Sequence, residues 1–196
     1  MRSLIFALLL AAVCGCRAVP HFDTATTPGI DLIVHPLIGG PSREIDTGYR
    51  NGRCVLEIRN RTSEPILVVM NGDGSEEGWR TPIVRWFVVD GSGEPVTGRP
   101  PGRCGNINSL QSEAVKSLDP GSSITLDRQS VVTPWWLPPG RYTAVIELEH
   151  DPALEWMGVP LGEHDPIAMA RIRASQGYLV RSRPFPLVVR PREEQR

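Results

Sequence analysis

Lysine is nearly absent from this chain: Lys116 is the only one among 21 basic residues, and the rest are arginine. The arginines are scattered rather than clustered, and 22 acidic residues bring the formal charge to −1. That balance excludes nucleic-acid binding driven by a basic surface. Catalytic signatures are missing as well. There is no Gly-x-Ser-x-Gly elbow, no Gly-x-x-x-x-Gly-Lys-Ser/Thr loop and no His-Glu-x-x-His pair. Neither Cys54 nor Cys104 sits in the sequence context of a catalytic thiol. The acids Asp73, Glu76 and Glu77 share a turn but lack the alternating oxygen ligands of a calcium loop. After Val13 no long uncharged apolar run occurs, so no membrane-spanning helix is predicted in the rest of the chain. These absences predict a protein that is not an enzyme and needs no cofactor.

What is present suits one packed domain. The chain has 196 residues, 40% of them hydrophobic and 22% charged, which is enough to bury a core. Its 19 glycines and 19 prolines mark frequent turns but stay below the levels of disordered or collagen-like chains.

The first residues form an address. Met1-Arg2-Ser3 is positive, Leu4 to Val13 carries no charge, and Cys14-Gly15-Cys16 follows. A basic start, a short apolar core and small residues make an export signal, and the core is too short to span a bilayer. Val13-Cys14-Gly15-Cys16 resembles the lipid-attachment motif of bacterial lipoproteins. The resemblance covers residues 1–16 and implies a diacylglycerol anchor on Cys16. Cleavage nearby, for instance after Ala18, is the alternative and would release a soluble exported protein. Residues 17–28 are polar and threonine-rich, and read as a tether. The expected location is the cell envelope, anchored to a membrane and facing the periplasm or the exterior.

Export bears on the other two cysteines. An oxidising compartment makes a Cys54–Cys104 disulfide a candidate, against two unpaired thiols, one in a strand and one in the Arg99–Gly105 loop.

From residue 29 to 192 short β-type runs alternate with turn chemistry, and residues 193–196 form a polar tail. The runs are Ile30–Val34, Cys54–Ile58, Ile66–Met70, Ile83–Val89, Ser123–Leu126, Tyr142–Leu148 and Phe185–Val189. Between them stand turn signals such as Asn71-Gly72-Asp73-Gly74, Asp90-Gly91-Ser92-Gly93 and Asp119-Pro120-Gly121. Many short strands at such spacing predict an all-β, antiparallel sandwich. The expected core is Leu56, Ile58, Val68, Trp86, Val88, Ile124, Tyr142, Ile146 and Val188. Asp165-Pro166 with Gly177 downstream predicts one short helix near 165–176, with extension of the last strand as the alternative.

Pro139-Gly140-Arg141-Tyr142-Thr143-Ala144 resembles the turn and tyrosine that open a late strand of immunoglobulin-like domains. Such a tyrosine bonds back to the preceding turn. Together with Ile58-Arg59-Asn60-Arg61-Thr62, Pro65-Ile66 and Leu118-Asp119-Pro120-Gly121, the pattern over residues 53–149 is similar to bacterial immunoglobulin-like modules, including the intracellular proteinase inhibitor type. The resemblance implies an immunoglobulin-like sandwich and carries over no inhibitory residue.

Two features remain as candidates for function. Glu149-His150-Asp151-Pro152 recurs as Glu163-His164-Asp165-Pro166. His150, Asp151, His164 and Asp165 have the donor chemistry of a zinc site or zinc hydrolase, against the plainer reading that Asp-Pro starts a turn and its neighbours are solvated. Trp135-Trp136 cannot both face inward in an extended segment. One of them is a candidate contact for an envelope protein or a glycan, with Trp79 and Trp156, which lie in loops, as neighbours if they fall at the same end of the sandwich. The alternative is that both cap the sandwich.

Overall fold

A computed structural model describes residues 26–36, 45–46, 54–70, 81–96, 110–126, 137–154 and 165–189. Cys16, Cys104, His164, Trp79, Trp135, Trp136, Trp156, the Asp73–Glu77 acids and the polar tail lie outside the described residues. So do residues 17–25 of the tether, and with Cys104 outside them the disulfide expectation is not addressed.

Alternation writes the first sheet. In β3 (Cys54–Asn60), Leu56 and Ile58 point one way and are sealed from solvent, while Glu57 and Arg59 point the other. β3 lies between β1 (Ile30–Pro36) and β7 (Ser123–Thr125), antiparallel to both, with Leu32 opposite Ile58 and Ile58 opposite Ile124. The turn into β7 has Pro120 followed by Gly121 at φ 77°, the left-handed position that glycine fills without strain. On the solvent face polar side chains pair, His35 bonding to Glu57 at 2.7 Å and Arg61, just past β3, donating to Asp31 at 2.5 Å. Hydrogen bonds from Ser123 and His35 hold the Glu57 carboxyl below its ordinary pKa.

The second sheet is built on the long strand β8 (Gly140–His150). Its order is β2 (Ile45–Asp46), β10 (Phe185–Val189), β8, β5 (Ile83–Val89), and β9 (Tyr178–Arg181) pairs with the far end of β8. All pairings are antiparallel except β2 with β10. Ala144, Ile146 and Leu148 of β8 meet Leu32, Leu56 and Ile58 in one continuous core, so the fold is an all-β sandwich. The two sheets are also tied at one side, where the Thr27 amide donates to the Leu179 carbonyl at 2.7 Å. Among the described residues no helix is long and apolar enough to cross a membrane.

Every expected run forms a strand. Three strands were not anticipated: β2, β9 and β6 (Val115–Leu118). The expected core holds at Leu56, Ile58, Val68, Val88 and Ile146. Trp86, Ile124 and Tyr142 are half-buried at its rim, with Trp86 meeting Phe185 edge-to-face at 5.9 Å. Val188 is a correction. Phe185, Leu187 and Val189 of β10 face inward, so the two-residue period turns Val188 to the other side. Glu147 alternates with the inward-facing Ile146 and Leu148 of β8, yet it is only 4% exposed. Its direct cross-strand neighbours are Arg85 and Arg181. Arg181 Nε and Nη2 grip one carboxylate oxygen at 2.8 and 2.7 Å, and Arg85 reaches the other at 3.0 Å. Flanking guanidinium groups make that burial tolerable.

A third element stands apart. β4 (Ile66–Val69) and β6 form a two-stranded ribbon. Val68 and Leu118 join the main core, whereas Val69 and Val115 form a satellite core with Ala168 and Ile172 of the helix α1 (Pro166–Arg173). Asp165 caps α1 as expected, accepting from the Ile167 and Ala168 amides. Arg171 and Arg173 fall in its last turn, where they complement the helix dipole.

Asn60 joins ribbon and sandwich. It is fully buried, and its amide nitrogen donates to Glu64 O at 2.8 Å and to Leu118 O at 2.9 Å. Its side-chain oxygen accepts from the Thr62 amide at 2.9 Å. Replacing Asn60 with Ala leaves several of these groups unpaired, and denaturant unfolding should show a loss of about 3 kcal/mol. Tyr142 Oη donates to Pro138 O at 2.8 Å. A Tyr142→Phe change should therefore cost about 1 kcal/mol in the same assay.

Candidate functional site

The helix α1 ends too early to cover the whole ribbon. Past Arg173 the chain turns away toward β9, and a groove of about 610 Å³ opens between the ribbon, residues 174–178 and the start of β1. That volume lies within the range of small-ligand and peptide sites. Its apolar surface comes from Ile30, Ile66, Leu67 and Tyr178, and its rim carries Glu64 and Arg171. Gly29 shapes the near end: it sits at φ 79°, and a Cβ there would lie 3.0 Å from the Thr62 side chain, so only glycine passes cleanly.

The groove lining carries one charge of each sign, on Glu64 and Arg171. Among the described residues the Arg171 guanidinium makes no ion pair or hydrogen bond, although the residue is half-buried. Two other half-buried arginines discussed above are engaged, Arg59 by Glu57 and Arg181 by Glu147. An unpaired guanidinium beside apolar surface has the chemistry to receive a carboxylate.

Ser175, which lines the groove, leads to a buried chain of hydrogen bonds. Its hydroxyl donates to Ile172 O at 2.6 Å. A lone pair on the same oxygen is then left to accept from His150 Nε2 at 2.7 Å, and His150 Nδ1 accepts from the Thr81 hydroxyl at 2.9 Å. A serine within reach of a histidine invites a nucleophilic reading. The proton runs the wrong way for it, because the imidazole donates to the serine rather than taking from it. His150 is 1% exposed, and burial pushes its pKa down to about 4, with Asp151 opposing slightly. Tyr178 packs against the ring at 5.2 Å between centroids, and burial raises its own pKa. The chain is a structural tie between β8, α1 and the loop before β5.

The repeated tetrapeptide is accounted for residue by residue. His150 is neither solvated nor offered to a metal, since both ring nitrogens are engaged. Glu149 pairs with Arg85 at 2.5 Å. Asp151 caps a turn by accepting from the Ala153 amide at 2.9 Å. Asp165 caps α1 and also accepts from the Ser112 amide and hydroxyl, which lowers its pKa. Among the described residues no cluster of three His, Cys, Asp or Glu side chains is placed to hold a metal ion. His164 and the Trp135-Trp136 candidate lie outside the described residues.

Sequence reading missed the groove. It is assembled from four separate stretches, and its one advance signal was Tyr178, an aromatic after a predicted helix end. Comparison with protein-family models, curated proteins and solved structures finds no match for the chain, so its chemistry rests on its own residues.

The depressed His150 pKa has a definite sign in pH dependence. Between about pH 6.5 and pH 4 the unfolded chain takes up a proton on this residue and the folded chain does not, so stability falls as pH drops through that window. The loss should approach about 3 kcal/mol, and His150→Gln should flatten the slope there while lowering the melting temperature at pH 7.

Proposed function

We propose that this chain is a non-catalytic binding module of the bacterial cell envelope, exported and held to a membrane by lipid on Cys16. The observation that carries the binding part is the groove beside β4, an apolar surface with an unpaired, half-buried Arg171 at its rim. The Val13-Cys14-Gly15-Cys16 motif supports the anchor. An immunoglobulin-like identity is supported by two features. The strand order β1-β3-β7 packs against β5-β8-β10, and Tyr142 bonds back to the turn before its strand. The engaged protons of the Ser175–His150–Thr81 chain favour binding over catalysis.

On this reading the binding surface is distinct from the fold, as is usual for sandwiches. The partner is a component of the envelope, and the tether gives the domain reach from the membrane.

Two measurements test the proposal. Wild-type protein from membranes should enter the detergent phase on phase separation, and Cys16→Ser should move it to the aqueous phase. Unchanged partitioning removes the anchor. Crosslinking in intact cells should give an adduct that Arg171→Glu abolishes while the variant still folds. An adduct lost instead in Trp135→Ala/Trp136→Ala, with Arg171→Glu unaffected, transfers the contact surface to the tryptophan segment.

A further inference from the structure

We infer that two copies of this chain pair edge to edge through β1, antiparallel, about a two-fold axis at Ile33. This contact is separate from the groove beside β4.

Backbone direction decides which groups are free. In an antiparallel ladder, alternate residues turn both N–H and C=O toward one neighbour, and those between turn them toward the other. The Asn60 amide donates to Ser122 O, the Gly121 amide to Asn60 O, and the Leu126 amide to Leu56 O. Leu56, Ile58 and Asn60 of β3 therefore face β7. The residues between them face β1, as Arg61 does just beyond the strand in donating to Gly29 O. Glu57 and Arg59 lie opposite Ile33 and Asp31. It follows that Ile30, Leu32 and Val34 turn their backbone groups away from β3. Among the described residues no strand receives them. The tie to β9 is made by Thr27, before β1 begins.

This edge lacks the features that keep sheet edges apart. β1 has seven residues, and its register with β3 runs through all of them without a bulge. Neither lysine nor arginine stands on it, and Pro36 comes at its end. The opposite edge of the same sheet, β7, is blunted by its length of three residues.

A two-fold contact needs a surface that complements itself. Read outward from Ile33 in either direction, β1 presents an aliphatic residue, Leu32 or Val34, and then an ionisable one, Asp31 or His35. With Ile33 opposite Ile33 of the second copy, Leu32 of each chain meets Val34 of the other and exchanges both main-chain bonds. Ile33 and the Asp31–His35 pairs then occupy the non-hydrogen-bonded positions, where opposed side chains come closest. Asp31 Oδ2 is held by Arg61 and His35 Nε2 bonds to Glu57, while Asp31 Oδ1 and His35 Nδ1 have no partner among the described residues. As an imidazolium His35 has two donors, one for Glu57 and one for Asp31 of the second copy. Charge then alternates across the seam through Arg61, Asp31, His35 and Glu57. Sliding the register by two sets Asp31 against Ile33 and loses both ion pairs. Sliding it by one sets outward backbone groups against inward ones.

Sedimentation equilibrium tests the pairing on the full chain carrying Cys16→Ser, from about 1 µM to about 1 mM. The mass should rise to that of two copies. Ile33→Lys, which places two ammonium groups on the axis, should weaken the dimer about tenfold or more. The melting temperature of the dilute variant should match that of the parent. Ile33→Cys should give a disulfide-linked dimer under mild oxidation, because directly opposed Cβ atoms lie about 4.5–5.5 Å apart. Asp31→Cys alone should not, since its two copies lie about 13 Å apart along the strands. A mixture of Asp31→Cys and His35→Cys should crosslink. The parent chain, which keeps Cys54 and Cys104, sets the background. A single-copy mass throughout overturns the inference, and so does a dimer that Ile33→Lys leaves intact. Equal crosslinking of Asp31→Cys and Ile33→Cys overturns the register, and mass growing beyond two copies overturns the closed two-fold. Arg171→Glu should leave the dimer unchanged; a dimer lost in that variant overturns the inference by moving the contact to the groove.

Discussion

A buried amide with all of its polar atoms engaged holds three segments in one place. Asn60 ends β3, and its side chain reaches the turn before β4 and the last carbonyl of β6. Its backbone meets the turn before β7: the Asn60 amide donates to Ser122 O at 3.0 Å, and Gly121 donates to Asn60 O at 2.8 Å. The next residue, Arg61, donates to Gly29 O at 2.6 Å and so adds the start of β1. Hydrophobic burial brings the sheets together without fixing direction. A fully satisfied asparagine does fix direction, because only one arrangement of three chain segments pairs every donor and acceptor. Through this residue the ribbon is set at a defined position relative to the sandwich, and the groove beside β4 inherits that position.

The ribbon explains why a groove exists at all. A two-stranded unit needs cover on both faces to be stable. One face is covered by the main core, the other by α1. The helix runs only from Pro166 to Arg173, and beyond it the chain must turn into β9 to pair with β8. Ser175 makes that turn firm by bonding to both Ile172 and His150. The uncovered length of ribbon is thus the geometric remainder of two fixed structures, and the apolar residues it exposes are those left over from both cores.

Sequence patterning revealed much of this and missed the rest for identifiable reasons. Clean alternation, as in Leu56–Ile58, and turn pairs such as Pro120-Gly121 are local signals, and the strands they mark are present. Asp165 was legible as a helix cap for the same reason. β6 was invisible because Lys116 and Ser117 are exposed between Val115 and Leu118, so no two-residue period appears. Val188 was misplaced because β10 is apolar on both faces, which leaves the inward side undecided from sequence. The burial of His150 depends on β9, an element too short to announce itself, whose Tyr178 pairs with it across the sheet. Asn60 looked like an ordinary turn residue, since the partners that make it central lie in distant parts of the chain.

The scarcity of lysine acquires a spatial meaning in the folded protein. Lys116 is exposed on β6, next to Ser117, which lines the groove. Every amine-directed reagent therefore has one side-chain target, and it lies on the same two-stranded ribbon as the candidate site. A fluorophore, spin label or biotin attached through ordinary lysine chemistry has one side-chain address, without any engineered cysteine. The molecule comes with a reporter position built in, close enough to the ribbon to register what settles against it.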